Sequence, residues 1–336
     1  MNVNRPQEPS YAGIQTFSKV PLVLDPADLA GADVAIVGAP IDETVVVRPG
    51  ARFGPMAIRT GGYGGGGPNM ELGASPFDVL TIVDYGDAEV VPADAERSHA
   101  AIKRAVGEVV RAGAIPVVLG GDHSIAHPDV GAVAEALAPA PVGLVHFDAH
   151  ADDAEELYGV VRSHGTPMRL LVDEGSVRGE HVVQVGLRGY WPGPKQFDWA
   201  RSVGFRWHLM EEVHERGIRP VIADVVAALA DLPHIFLSVD IDVADPAFAP
   251  GTGAPEPGGM AARDLLWAVR TLAVQLPVAG MEVVEVSPPY DHAEITALLA
   301  HRVVLEALSG IALRRTGGQA RPELDARGPR RGTAGP

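Results

Sequence analysis

Short runs of Val, Ile and Leu recur along the chain at Asp33–Gly38, Val79–Val83, Ile115–Leu119, Val142–Phe147, Val182–Leu187, Ile235–Val239 and Val278–Val286, each followed by Gly, Asp or Pro punctuation. Runs this short, bounded this way, read as strands. Helix-like segments fill the intervals, at Ala95–Ala112, Pro128–Ala138, Arg219–Ala230, Ala261–Val274 and Ala293–Leu308. Apolar strands alternating with helices imply a parallel sheet buried on both faces, because each crossover lays a helix over it. The 336 residues show no internal repeat or sustained heptad. We therefore expect one α/β domain over 31–313 after an N-terminal segment, 1–30. The remainder, 314–336, holds six arginines among Gly, Pro and Ala without apolar periodicity, and reads as a solvated tail.

Composition then removes whole classes of function. The net charge of −16 disfavours nucleic acid, whose affinity comes from neutralising phosphates with Lys and Arg, and favours small cationic ligands. With no Cys, the chain has no disulfide, thiolate nucleophile or Cys-ligated zinc. The apolar stretch Val130–Phe147 is cut by Glu135, Pro139 and Pro141, so no membrane partner is expected. Met1–Ser10 is polar and does not resemble a secretory signal, which makes the cytoplasm the expected compartment.

Chemistry is concentrated just after three of the apolar runs. Ile115–Leu119 leads into Gly120-Gly121-Asp122-His123-Ser124, Val142–Phe147 into Asp148-Ala149-His150-Ala151-Asp152, and Ile235–Val239 into Asp240-Ile241-Asp242. Residues two apart on an extended chain share a face, so Asp148 and His150 pair, as do Asp240 and Asp242. The carboxyl ends of strands are where open α/β sheets bind ligands. Two imidazoles and four carboxylates at one sheet edge suit two divalent ions of the manganese kind better than a structural zinc. Singly, each fragment also reads as a solvated turn or helix cap. Together, four buried carboxylates demand cations to offset repulsion and desolvation.

This ordered set, with Asp245-Pro246-Ala247-Phe248-Ala249-Pro250-Gly251-Thr252-Gly253, Arg48-Pro49-Gly50-Ala51-Arg52-Phe53-Gly54-Pro55 and Glu282-Val283-Val284-Glu285-Val286-Ser287-Pro288, resembles the ureohydrolase (arginase/agmatinase) family, particularly its agmatinase-type branch, over roughly residues 30 to 310. The resemblance implies a three-layer αβα sandwich around a parallel sheet of about eight strands. It also implies a binuclear Mn2+ centre, with another divalent metal as the alternative, that hydrolyses a guanidino group to urea and an amine. Carried over by position, His123, Asp148, Asp152 and Asp240 would hold one ion, and Asp148, His150, Asp240 and Asp242 the other. His164, in Ser163-His164-Gly165-Thr166, matches the family's proton shuttle, and Glu285 the carboxylate that grips the guanidinium. A homo-oligomer, trimer or hexamer, is implied as well.

Those residue types answer the difficulty of the reaction. The departing amine has a pKa of about 10.4 and leaves only if protonated, which a histidine near neutrality can arrange. A carboxylate can take two guanidinium N–H groups in a planar fork and orient the carbon. The segment Asp153–Ser163 lacks the Asn and hydroxyl pattern of arginine-using relatives. The expected substrates are thus agmatine, an ω-guanidino acid, guanidine, or a guanidino group terminating a larger metabolite, with Tyr158 and Arg162 as candidate tail contacts. An inactive metal-binding relative serving as a partner subunit, and a single-zinc deacetylase of the same general fold, are the competing readings.

Other polar residues are read as structural. Asp122 is expected to brace the ligands, His127 to cap the helix beginning near Pro128, and Asp291-His292-Ala293-Glu294 to start the last helix. Arg48–Pro55 reads as a turn that positions the first helix, with Arg48 or Arg52 available to a subunit contact. Gly61–Pro68 lacks the Lys and Ser/Thr of a phosphate loop and reads as a mobile loop.

Overall fold

A computed structural model describes residues 9–62, 67–191 and 193–318. Its sheet has eight parallel strands: β1 (Val34–Ala39), β2 (Ile82–Asp87), β3 (Ile115–Gly120), β4 (Val142–Phe147), β5 (Val182–Leu187), β6 (Arg206–Leu209), β7 (His234–Asp240) and β8 (Val278–Val284). They lie in the order β2-β1-β3-β8-β7-β4-β5-β6. Helices cover both faces, and two apolar clusters fill the two interlayers, one around Phe147, Leu237 and Val304 and the other around Val37, Leu144 and Phe236. This is the expected αβα sandwich.

Local chemistry explains the element boundaries. The helix Ala95–Arg111 starts where the Asp94 carboxylate accepts from the Arg97 N–H, and Ile102, Val106 and Val109 form its buried stripe. The last helix, Ile295–Arg315, is longer than its sequence pattern suggests. Its start is held by Asp291, whose carboxylate accepts from the N–H groups of Thr296 and Ala297. Length and composition would let this helix cross a membrane, but 78% of its most apolar window is buried inside the fold.

Several boundaries correct the sequence reading. Val79 ends a short helical turn, Pro76–Val79, and the strand begins at Ile82 and continues to Asp87. Asp84 lies buried within that strand because the Arg59 guanidinium meets both its oxygens, at 2.9 and 3.0 Å. β6 escapes the sequence pattern because it is a short edge strand with no buried residue. Arg314 and Arg315 belong to the last helix rather than to the tail. Residues 319–336 and residues 63–66 of the Gly-rich stretch lie outside the described residues.

Candidate metal centre and active site

Strand order assembles the site. β3, β8, β7 and β4 are consecutive neighbours in the middle of the sheet, and their carboxyl ends deliver His123, Glu285, Asp240 with Asp242, and Asp148 with His150 and Asp152, respectively. His123 Nδ1 lies 3.1 Å from Asp148 Oδ2, 2.9 Å from Asp152 Oδ2 and 3.3 Å from Asp240 Oδ2. His150 Nδ1 lies 3.4 Å from Asp148 Oδ1 and 3.1 Å from Asp242 Oδ2. The two oxygens of Asp148 thus face different imidazoles, which is the disposition a bridging carboxylate requires.

The electrostatics of this cluster call for cations. Burial raises the Asp240 carboxyl well above its ordinary range, and Asp242 and Asp148 add to the rise. Burial likewise pushes Asp242 up to about 6, opposed by His150. Burial by itself would raise Asp148 too, yet the imidazoles of His146, His123 and His150 hold it well below the usual carboxylate range. His123 Nδ1 is buried and has no hydrogen-bond partner of good geometry. Imidazole nitrogens and hard carboxylate oxygens converging in this way fit one or two divalent ions of the manganese class. Another grouping, His208, Glu212 and Asp224, differs because Arg216 already meets both carboxylates.

Opposite the cluster stand His164 and Glu285. Glu285 follows β8 in the left-handed region, at φ 61°, a conformation that costs a non-glycine residue roughly 1–2 kcal/mol. Its N–H donates to the Gly121 carbonyl, and its Oε1 accepts from the His123 N–H at 2.9 Å. Glu285 Oε2 is buried and unpartnered. Gly253 leaves room beside it, since a Cβ there would come within 2.8 Å of Oε2. His164 Nδ1 lies 3.4 Å from Glu285 Oε1, and His164 Nε2 is buried without a partner. Burial alone would lower the His164 imidazole, but Glu285, with Asp152 and Asp122 nearby, pushes it up to about 9.

The Arginase family model matches residues 32–310 of this sequence. The chain belongs to the arginase family. It is 40% identical over 300 residues to proclavaminate amidinohydrolase of Streptomyces clavuligerus, covering 89% of this chain and 94% of that one. The solved structure of that enzyme superposes with a TM-score of 0.85 at 38% identity, over 91% of this chain and 100% of the other. Guanidinobutyrase of Pseudomonas aeruginosa is 38% identical, over 89% and 93% of the two chains. The structure of Trypanosoma cruzi formiminoglutamase with Mn2+ has a TM-score of 0.76 at 27% identity, over 84% and 94%.

Within this arginase-family chain, two sequence assignments change place. Arg162 turns to Glu174, at 3.7 Å, and lines a separate cavity of about 230 Å3 with His99 and His127. His127 caps nothing, because its helix begins at Ala126 and its Nε2 pairs with Glu174 at 2.8 Å. Tyr158 is 88% exposed. Asp122, beside His123, accepts from the Ser124 N–H and from the N–H and hydroxyl of Thr44. Arg52 is paired with Asp42. The sequence reading missed Arg188, whose guanidinium donates to the carbonyls of Asp242 and Glu256 and locks the ligand loop. It also missed His146, although the alternation that picks out Asp148 and His150 includes it.

Proposed function

We propose that this chain is a metal-dependent amidinohydrolase that cleaves a small or chain-terminal guanidino compound to urea and an amine, with a manganese pair held by His123, Asp148, Asp152, Asp240, His150 and Asp242. The observation that carries the reading is the opposition of two unlike half-sites. A cation-demanding cluster faces a buried carboxylate oxygen, Glu285 Oε2, and a buried imidazole nitrogen, His164 Nε2, that have no partners of their own. A guanidinium supplies the N–H donors and the positive charge that such a carboxylate lacks.

A divalent pair held by these residues would lower the pKa of a water and so supply hydroxide at neutral pH. Glu285 orients the planar guanidinium, its Oε1 steadied by the His123 N–H. His164 holds one proton at Nδ1 against Glu285 Oε1 and donates the other from its unpartnered Nε2 to the departing amine nitrogen as the C–N bond breaks, so that the amine leaves neutral. The names of the relatives above, amidinohydrolase and guanidinobutyrase, support a guanidino substrate, and agmatine or an ω-guanidino acid is the class we favour. We further infer a homo-oligomer, trimer or hexamer, in which exposed Val46, Val47, Phe53 and Met56 meet a neighbouring subunit. Sedimentation of purified protein checks that inference. Urea release from manganese-loaded protein across a panel of guanidino compounds tests the reaction. Absence of urea from every compound, with two ions bound, would overturn it.

A further inference from the structure

His146 sits on β4, fully buried, two residues before Asp148, and one of its ring nitrogens is close enough to His123, Asp148 and Asp152 to count as a fourth ligand. Its hydrogen bonds exclude that role. Sheet register places Gln184 of β5 directly beside it. The side-chain nitrogen of Gln184 lies 2.8 Å from the Ala151 carbonyl and 3.0 Å from His146 Nδ1. A carbonyl oxygen can only accept, so the group facing it is the Gln184 NH2, and its second hydrogen points to His146 Nδ1. That ring nitrogen must therefore present a lone pair. The ring's proton is left on Nε2, which lies 2.8 Å from Asp148 Oδ2.

We propose that His146 and Gln184 are positioning residues for the metal-binding carboxylates, with Gln184 selecting the Nε2–H tautomer of His146 and that N–H orienting Asp148. The proposal rests on the metal-centre reading above. Asp148 Oδ2 faces His146 Nε2 on one side and His123 Nδ1, at 3.1 Å, on the other. Donation from His146 occupies one lone pair of that oxygen and turns the other toward the cation shared with His123. The opposite tautomer would set a lone pair against Oδ2 and free the carboxylate to rotate. Ala151 joins the same chain of contacts, so Gln184 also ties the Asp148–Asp152 turn to β5.

Manganese affinity, measured by chelator competition, separates this role from a ligand role. His146→Leu should weaken binding by about 10- to 100-fold, the usual effect of removing a partner behind a ligand, while His146→Gln, which keeps an N–H near the Nε2 position, should recover most of it. Should His146→Leu fail to fold, Gln184→Met, similar in size but without the donor, must show a smaller loss in the same direction. Unchanged affinity in His146→Leu or in Gln184→Met, or equal weakness in His146→Gln and His146→Leu, overturns the assignment. Metal-free protein labelled with [15N]histidine should give an Nε2–H, Nδ1-unprotonated signal that is missing from His146→Gln, and a wild-type His146 signal, assigned by its absence from that variant, of the Nδ1–H form overturns it as well. A wild-type chain that binds no manganese but shows this tautomer would defeat the metal centre while leaving the Gln184 selection in place.

Discussion

The turn Phe147–Asp152 and the segment Asp153–Ser163 adjoin in sequence but differ in the burial and contacts of most of their side chains. In the first, Asp148 and Asp152 are buried and meet three imidazoles between them, those of His123, His146 and His150. In the second, Tyr158, Val160 and Val161 stand 88%, 49% and 51% exposed. The segment is tied down at its ends, by Ala154 N–H to the Gly165 carbonyl and Ser163 N–H to Thr166 Oγ1. Under the proposed function, the contrast would separate recognition of the guanidino head, at packed strand ends, from choice of the tail, at an exposed loop that tolerates change.

Five variants test that contrast. The largest effect belongs to Asp240→Asn, which removes a buried carboxylate from the cluster: both ions should be lost and urea production should fall to background. Elemental analysis showing two retained ions would contradict the shared-ligand assignment. Next comes His164→Asn, expected to keep metal and slow turnover by about 10²- to 10⁴-fold. An unchanged kcat, with product release shown not to limit it, would remove the proton-transfer role.

A smaller effect tests the support beneath the cluster. His99 Nε2 lies 2.8 Å from Ser124 Oγ, and burial, with His127 and Arg162 nearby, pushes its imidazole down to about 4. A base with a depressed folded-state pKa contributes stability above its unfolded value of about 6.5 and loses it as pH falls toward 4. The loss amounts to about 3 kcal/mol, and His99→Gln should flatten the acid limb of denaturation by that order. Identical pH profiles for the two proteins would show that His99 charges freely in the fold.

The smallest effects lie on the loop. Tyr158→Ala should shift the ranking of guanidino compounds by about tenfold without changing metal content. Arg162→Ala removes only a surface pair with Glu174, so it should alter stability by less than about 1 kcal/mol and leave that ranking intact. A selective loss of ω-guanidino acids in Arg162→Ala would show that the side chain swings from Glu174 to the substrate.

Much of the site was legible because its fragments are local. Asp148 with His150, and Asp240 with Asp242, are two-residue patterns at strand ends, readable wherever an apolar run stops. Arg162 was misplaced because its proximity in sequence to His164 says nothing about direction, and Glu174, on the turn after the next helix, attracts it. β6 was hidden because an edge strand with one neighbour needs no apolar alternation. Gln184 carries no sequence signal at all, since a lone Gln inside a Val-rich run gains meaning only from the strand beside it.

By itself, the sequence determined the alternation of strands and helices, the carboxylates and imidazoles at the strand ends, and the exclusion of thiolate chemistry. Tertiary structure decided which of those ends meet. β3 and β4 are near in sequence but separated in the sheet by β8 and β7, and that insertion brings His123, Asp148, Asp240 and Glu285 around one point. Hydrophobic periodicity records which face of an element is buried, not which neighbour buries it. The partners of His146 and Arg188, and the free oxygen of Glu285, are therefore properties of strand order and register.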